Sequence, residues 1–297
     1  MRTIGALEAG GTKMVLGVFD ETGREIERLT VPTLTPKETV PAMRAFFDKH
    51  AVDALGIGSF GPLELNPAAE NYGAIISTPK LAWRDYPLLA ALRGGRALPC
   101  AIDTDVNAAV LAEATLGAAQ GLTDVVYITV GTGVGGGVLS GGKLVHGLLH
   151  PEVGHMLLRP HPQDPNPHGV CPYHDGCLEG LAAGPAIGAR IGGDARDLPD
   201  DHPTFALEAD YLAQMCVNLI VTLSPQRIVL GGGVMQRAAL YPQVRARVLA
   251  LLNGYVQSPA ILEHLDETIV PPALFPVSGL IGAFLLGKQA LQAASAQ

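Results

Sequence analysis

Two stretches of the chain, roughly 120 residues apart, share one pattern of strand, glycine-rich turn, strand, turn and strand. The first is LEAGGTKMVLGVFDETGR, which begins at Leu7, and the second is ITVGTGVGGGVLSGGK, which begins at Ile128. Apolar and β-branched runs predict the strands, and the glycines predict tight turns. The likeness is one of pattern more than of identity. It predicts a duplicated α/β unit with a ligand between the two halves.

Helical and strand patterns alternate after each copy. The predicted elements are strands at 52–59, 100–103 and 227–230 and helices at 37–50, 105–116, 205–223 and 278–294. We therefore expect an N-terminal α/β lobe of residues 1–116 and a C-terminal α/β lobe of residues 117–277. The terminal helix, within residues 278–297, is expected to pack back onto the first lobe.

Composition limits the classes of function. With 48% hydrophobic and 16% charged residues, the chain can bury a large core. Its net charge of −8 argues against a nucleic acid or an anionic membrane as partner. The few apolar residues before Glu8 are too short for a secretory signal, and the uncharged stretches 125–142 and 268–287 are interrupted by glycine or proline. We expect a soluble cytoplasmic protein.

Three glycine-rich turns are candidates for phosphate or nucleoside binding. They are EAGGTK at 8–13, GTGVGGG at 131–137 and LGGGV at 230–234. In such a turn, backbone N–H groups converge on an oxyanion, and glycine lacks the Cβ that would block its approach. Each turn alone could be only a turn, and neither the Walker A motif nor the dinucleotide fingerprint is present. Together they favour a nucleotide.

Asp105 stands where a predicted strand ends and a predicted helix begins. It could cap the helix, since aspartate is favoured at that position. Ligands of α/β folds gather at the carboxyl ends of strands, so its carboxylate could also accept a proton from a sugar hydroxyl that attacks phosphorus.

His155, Cys171, His174 and Cys177 form the spacing H-x15-C-x2-H-x2-C. This set suits a closed, tetrahedral, structural zinc site within loop 155–177. A Cys171–Cys177 disulfide and unrelated cysteines are the alternatives, and His161 and His168 are lower-ranked ligands. Glu152 and Glu179 flank the set, either as hydroxyl-binding groups or as ordinary surface carboxylates.

The motifs EAGGTK, TDVNAA, GTGVGGG, EVGH, C-x2-H-x2-CLEG and RIVLGGGV occur in this order along nearly the whole chain. In this it resembles the ROK family of sugar kinases, and SFGPLELN and STPKLAWRDY resemble its bacterial fructokinases. The resemblance implies an α/β, actin-like ATPase (ribonuclease H-like) fold with duplicated βββαβαβα lobes and a cleft between them. It also implies ATP, Mg²⁺, structural Zn²⁺ and a homodimer.

The resemblance further implies a role for each motif residue. Asp105 would be the general base. The substrate contacts would be Gly61, Thr104, Glu152, His155 and Glu179. The nucleotide contacts would be Gly10, Gly11, Thr12, Lys13, Gly131, Thr132, Gly133, Gly231, Gly232 and Gly233. The zinc ligands would be His155, Cys171, His174 and Cys177.

Four departures from the family pattern refine the expectation. Glu8 stands where many members carry aspartate, which bears on the magnesium contact. Thr104 stands where many carry asparagine, which makes a preference for glucose less favoured. His174 replaces a cysteine, as in the fructokinases. The first strand begins near Met1, which leaves no room for the DNA-binding domain of ROK repressors.

We expect an ATP-dependent fructokinase that phosphorylates the 6-hydroxyl of fructose. The alternatives are a mannokinase, glucokinase or N-acetylhexosamine kinase of the same family, and, among non-enzymes, a sugar-sensing regulator.

Overall fold

The chain divides into two units, each built around its own five-stranded sheet. The computed structural model describes residues 2–296. The first unit comprises the residues up to Thr115, Leu144–Pro151, and the residues from Leu274 onward. The second comprises Leu116–Lys143 and Glu152–Ala273. Residues 144–151 thus belong to the first unit, whereas the predicted boundary assigns them to the C-terminal lobe.

The strands are β1 (Thr3–Ala9), β2 (Lys13–Asp20), β3 (Glu25–Pro32), β4 (Ala54–Ser59), β5 (Cys100–Thr104), β6 (Val125–Val130), β7 (Val134–Ser140), β8 (Lys143–Leu144), β9 (Arg227–Gly231) and β10 (Ile269–Val270). The α-helices are α1 (Pro36–Lys49), α2 (Leu88–Arg93), α3 (Asp105–Leu116), α4 (Leu178–Ala182), α5 (Gly184–Ile191), α6 (Thr204–Leu223), α7 (Leu240–Leu252), α8 (Pro259–Leu262), α9 (Leu265–Thr268) and α10 (Ser278–Ser295). Short 3₁₀ helices cover Leu81–Trp83, Val153–His155, Ala195–Asp197 and Val234–Gln236.

The first sheet has the strand order β3-β2-β1-β4-β5. Strands β1, β2 and β3 are antiparallel neighbours, whereas β4 pairs parallel with both β1 and β5. Helices cover both faces, with α1 and α2 in one hydrophobic cluster and α10 in the other. The carboxyl ends of β1, β4 and β5 therefore meet at one edge of the sheet, where Glu8 and Asp105 lie.

Glycines bring α10 into backbone contact with the first sheet. A Cβ on Gly56 of β4 would lie 1.8 Å from the carbonyl oxygen of Ala283. A Cβ on Gly282 would lie 1.8 Å from the carbonyl oxygen of Ala108 in α3. No side chain fits at such distances, so α10 packs directly on β4 and on α3.

The second sheet has the order β10-β9-β6-β7-β8. Strands β6 and β7 form an antiparallel hairpin, and β9 pairs parallel with β6 and β10. Both sheets thus combine an antiparallel hairpin with parallel neighbours, and the predicted α/β fold class is confirmed. One turn is shorter than predicted, because β7 already begins at Val134 and leaves only residues 131–133 in the turn.

Helix α6 is the described helix whose length and apolar composition would suffice to cross a membrane. More than half of the residues in its apolar window are buried inside the structure. Buried residues such as Leu212, Met215 and Leu219 give it the character of a core helix of the second unit.

We expect Gly56→Ala to destabilise the first unit, because the new methyl group would collide with backbone and force α10 away from β4. Overpacking typically costs about 1–3 kcal/mol, and a backbone collision should reach at least the upper end of that range. Urea unfolding can be followed through Trp83, the one tryptophan, which is 1% exposed in the first unit. Gly147→Ala is the control, since its Cβ would meet nothing within 4 Å. An unchanged unfolding midpoint for Gly56→Ala would contradict the packing described.

Candidate active site

The turn between β1 and β2 is shaped to receive an anion. Gly10 donates its N–H to the carbonyl of Lys13 (3.0 Å), and a Cβ on Gly10 would lie 2.8 Å from that same oxygen. Thr33 holds the turn from outside by donating to the carbonyls of Gly10 (2.8 Å) and Thr12 (3.0 Å). Within residues 2–296, nothing accepts a hydrogen bond from the N–H groups of Gly11 and Thr12. These two donors can bind phosphate oxygens.

Asp105 is the first residue of α3, directly after β5. The helix cap is its neighbour Thr104, whose Oγ1 accepts from the N–H of Asn107 at 3.0 Å. Among the described contacts, the Asp105 carboxylate accepts hydrogen bonds only from backbone N–H groups, those of Val106 (2.9 Å) and of Asp105 itself. Burial raises the pKa of Asp105 to about 6. A carboxylate with such a pKa is a stronger base than an ordinary aspartate and is still ionised at neutral pH.

Glu8 lies close enough to Asp105 for the two charges to interact. The pKa of Glu8 is raised to about 7, chiefly by burial and next by the charge of Asp105, while Lys13 opposes the shift. Its carboxylate packs at the start of α10, where a Cβ on Gly279 would lie 2.7 Å from Oε1. Two carboxylates and an anion-binding turn therefore share one region of the first unit.

A polar cluster around Asp103, two residues before Asp105, includes residues that the sequence analysis missed. Asp103, 4% exposed, accepts from Asn107 Nδ2 (2.7 Å) and lies 2.8 Å from His146 Nε2. This hydrogen bond raises the pKa of His146. Its neighbour His150 accepts from Leu63 N–H at 3.1 Å. The only sequence signal was a pair of histidines a few residues before Glu152.

Gly61, a predicted substrate contact, lies against the same loop. A Cβ on Gly61 would lie 3.3 Å from the His150 ring. Burial lowers the pKa of His150, so this ring is neutral at pH 7 and serves as the acceptor for the loop that carries Gly61.

In the second unit, Glu179 is bound to the second glycine turn. Its Oε2 accepts from the N–H of Val134 at 2.9 Å, and a Cβ on Gly133 would lie 2.6 Å from the same oxygen. Gly184, the first residue of α5, donates to the carbonyl of Gly131 at 2.7 Å. The turn is thereby joined to the N-termini of α4 and α5, where backbone N–H groups and the helix dipoles favour anions.

A cavity of about 1180 Å³ opens beside this turn within the second unit. Its wall includes Gly131, Thr132 and Gly233, together with α5 and residues 193–196. Arg237 closes one side: it lies over the Phe205 ring at 4.1 Å and donates to the carbonyls of Ala195 (3.1 Å) and Leu198 (2.9 Å). Ligand pockets commonly measure about 300–1,000 Å³, so a nucleoside fits. The α5 wall and Arg237 were not anticipated, because no motif marks them.

The third glycine turn contributes unequally to this cavity. Gly233 lines it, whereas Gly231 and Gly232 are outside its lining. Gly232 has φ +91°, and a Cβ there would lie 2.4 Å from the Val130 carbonyl oxygen. Glycine is therefore required at position 232 by the backbone conformation at the end of β9. This conformation brings Gly233 to the cavity.

The four predicted metal ligands converge in the second unit. The ligand atoms of His155, Cys171, His174 and Cys177 all lie within 4.8 Å of one another. Three of the distances between a cysteine sulfur and an imidazole Nδ1 atom are 3.7 to 4.0 Å. Ligands at about 2.0–2.3 Å from a tetrahedral zinc lie about 3.3–3.8 Å apart, so the donor set and its spacing fit zinc.

The alternatives for this loop fare differently. Cys171 and Cys177 are free thiols in the structure, not a disulfide. His161 and His168 are outside the cluster, and His168 Nδ1 instead lies 3.0 Å from an Asp175 carboxylate oxygen. Cys177 also caps α4 by accepting from the Gly180 N–H, which suits a thiolate ligand.

Glu152 immediately precedes the 3₁₀ helix Val153–His155, and its carbonyl accepts from the His155 N–H at 2.9 Å. The cluster ligand His155 and the exposed Glu152 are therefore held together, while Glu179 follows Cys177 on α4. These three predicted sugar contacts all belong to the second unit, whereas Asp105, Thr104 and Gly61 belong to the first.

Comparisons with known proteins agree on one family. The sequence profile of the ROK family matches residues 4–290. A fructokinase of Pediococcus pentosaceus is 45% identical over 97% of this chain and 99% of its own length. A fructokinase of Zymomonas mobilis is 40% identical, with 96% of each chain covered. A ROK family glucokinase from Streptomyces griseus, solved with glucose and AMPPNP, superposes with a TM-score of 0.76 at 26% identity, covering 97% of this chain and 99% of its own.

Proposed function

This chain belongs to the ROK family, and we propose that it is an ATP-dependent fructokinase, which transfers the terminal phosphoryl group of ATP to the 6-hydroxyl of fructose. The observation that carries the proposal is that Asp105, a partly buried carboxylate whose pKa burial raises to about 6, and Lys13 of the turn at residues 10–13 both interact electrostatically with Glu8. The relatives named fructokinase, 38–45% identical over most of the chain, support fructose as the acceptor.

In the proposed mechanism, Asp105 accepts the proton of the 6-hydroxyl as that oxygen attacks the terminal phosphorus. The bond from phosphorus to the bridging oxygen breaks, and its electron pair leaves with ADP. Because Thr104 caps α3, the Asp105 carboxylate is not needed for capping and is available as the base.

For ATP, we propose that the cavity of the second unit takes the nucleoside, with Gly131, Thr132 and Gly233 in its wall. The N–H groups of Gly11 and Thr12, and the charge of Lys13, would bind phosphate oxygens. Glu8 would contact magnesium, directly or through water. A bound magnesium ion neutralises phosphate charge and would favour the ionised form of Glu8.

For the hexose, we propose contacts from Glu152, His155 and Glu179, with Gly61 and Thr104 on the first unit. Thr104 is 4% exposed and its hydroxyl already caps α3, which leaves it less able to bind a sugar hydroxyl than an asparagine. This restriction supports a sugar other than glucose.

We propose that zinc, held by His155, Cys171, His174 and Cys177, is structural. With four protein ligands it would keep no open position for substrate. Its part would be to fold loop 155–177 and so hold Glu152, His155 and Glu179 in place. The enzyme would work in the cytoplasm, where ATP is supplied and thiols stay reduced, and a homodimer stays a prediction from the family resemblance.

The proposed function is tested by turnover with fructose, mannose and glucose at equal concentration, measured as ADP release. We expect fructose to give the highest kcat/KM. Asp105→Asn should lower kcat by about 10²- to 10⁴-fold and leave fructose affinity nearly unchanged, because a positioned base contributes that much. Sugar-independent ADP release, or wild-type turnover by Asp105→Asn, would contradict the proposal.

The pH profile follows from the pKa of Asp105, which is about 6. A base acts only when deprotonated, so we expect kcat/KM to be level above that pKa and to fall about tenfold per pH unit below it. The Glu8→Gln variant removes the other carboxylate with a raised pKa, about 7, so that the remaining limb of its pH profile reports on Asp105. A limb centred near pH 4, the ordinary carboxyl value, would contradict the raised pKa.

Purified protein should contain about one zinc ion per chain by elemental analysis. Cys171→Ser should lose the metal and melt at a lower temperature, since metal binding is coupled to folding of the loop. Its fructose KM should rise about tenfold. Cys100→Ser, a partly buried cysteine of the first unit outside the cluster, is the control. Full activity with an unchanged melting temperature in metal-free protein would refute this role.

A further inference from the structure

Lys80 lies beside the anion-binding turn of the first unit. Its Cε is 3.2 Å from the position that a Cβ on Gly11 would occupy. Lys80 belongs to STPKLAWRDY (77–86), a segment to which the proposed mechanism gives no role. A second cation, from a separate part of the chain, thus approaches the turn that already contains Lys13.

The segment that carries Lys80 is anchored on the core. Trp83, 1% exposed, donates Nε1–H to the carbonyl of Leu34 (2.6 Å) and its backbone N–H to the carbonyl of Lys80 (2.8 Å). Thr78 Oγ1 accepts from the Lys80 N–H at 3.3 Å, and the Thr78 carbonyl accepts from Arg84 at 3.3 Å. The backbone of Lys80 is therefore held by bonds on both sides, which positions its side chain before any ligand binds.

The charge of Lys80 is not matched by the protein. In the described part of the chain, no carboxylate forms an ion pair with its ammonium group, whereas Lys49, for comparison, pairs with Glu27 at 2.9 Å. Lys80 approaches the turn at Gly11, and the N–H groups of Gly11 and Thr12 in this turn also lack acceptors within residues 2–296. Positive charge and two N–H groups without acceptors converge, so an anion is the complementary ligand.

We propose that Lys80 is a catalytic residue that contacts the phosphoryl group during its transfer, an inference that rests on the proposed function. The side chain transfers no proton and forms no covalent bond. It stabilises the charge on the phosphoryl oxygens while the proton of the 6-hydroxyl passes to Asp105 and the electron pair of the broken bond leaves with ADP. Lys13 differs, since it belongs to the turn itself and its charge also acts on Glu8.

Steady-state kinetics of Lys80→Met test this role. We expect kcat to fall about 10²- to 10³-fold, the usual effect of removing one group that stabilises transition-state charge. The fructose KM and the Kd for MgADP should stay within about threefold, because neither ligand carries the transferred group. Lys80→Arg should recover part of kcat, since it restores the charge with a different shape. Lys37→Met, an exposed lysine of α1, is the matched control and should keep wild-type kinetics.

The affinity for a transition-state mimic gives a second test, because a purely structural role of Lys80 would not change this affinity selectively. MgADP with aluminium fluoride and fructose should bind Lys80→Met about 10²-fold more weakly than wild type, while MgADP alone binds equally. Methylammonium added to Lys80→Ala should restore part of kcat, because it supplies the missing charge. Lys80→Gln repeats the kinetic test with a polar side chain, and Trp83 fluorescence verifies that each variant is folded.

The outcomes separate the two proposals. If wild type does not phosphorylate fructose, the proposed function falls and this role for Lys80 falls with it. If wild type is active and folded Lys80→Met keeps its kcat, only the role of Lys80 is overturned. A large rise in fructose KM with kcat intact would also overturn the role of Lys80. Lys80 would then bind the sugar in the ground state instead of the phosphoryl group during its transfer.

Discussion

The first unit depends on the backbone-to-backbone contact of α10 with β4 and α3. Gly56 and Gly282 allow this contact, since any Cβ there would overlap a carbonyl oxygen. The same contact brings the start of α10 to Glu8, so the helix that covers one face of the sheet also lines the candidate site. Packing and chemistry are therefore coupled: a change that moves α10 also alters the burial that raises the pKa of Glu8.

Two partly buried carboxylates near each other are unfavourable for the protein alone. Burial raises the pKa of both Glu8 and Asp105, and the charge of Asp105 raises that of Glu8 further. This cost is typical of a functional site. The charge of Lys13 in the neighbouring turn offsets part of the shift of Glu8. The arrangement suits a site that receives a metal–triphosphate and needs a base whose pKa lies near, but below, neutral pH.

The second unit holds the candidate zinc loop, residues 155–177, with a buried ion pair. Arg190 Nε lies 3.0 Å from Asp164, a residue of that loop, and Tyr211 of α6 donates to the same carboxylate at 2.7 Å. Glu208 lies 3.4 Å from Arg190, and burial raises the pKa of Glu208 to about 8. Removing one partner would leave an uncompensated buried charge, so this network fixes the middle of the loop at Asp164.

Several parts of the site were predictable because their signal is local. The hairpin around Gly10, the junction of β5 with Asp105, and the spacing of Cys171, His174 and Cys177 each depend on neighbours within a few residues. Their backbone preferences and ligand geometry act at short range. The family resemblance joined these separate signals into one fold, and the fold class is confirmed.

The sequence by itself determined most of the strands and turns, the spacing of the four candidate zinc ligands and the position of Asp105 at the junction of β5 and α3. Only the tertiary structure decided that Lys80 lies beside Gly11, that His146 pairs with Asp103, and that Arg237 closes the cavity. It also decided the pKa of Asp105. The physical reason is range: turn and helix preferences are set by adjacent residues, whereas burial and charge interactions depend on side chains that are tens of residues away in the chain.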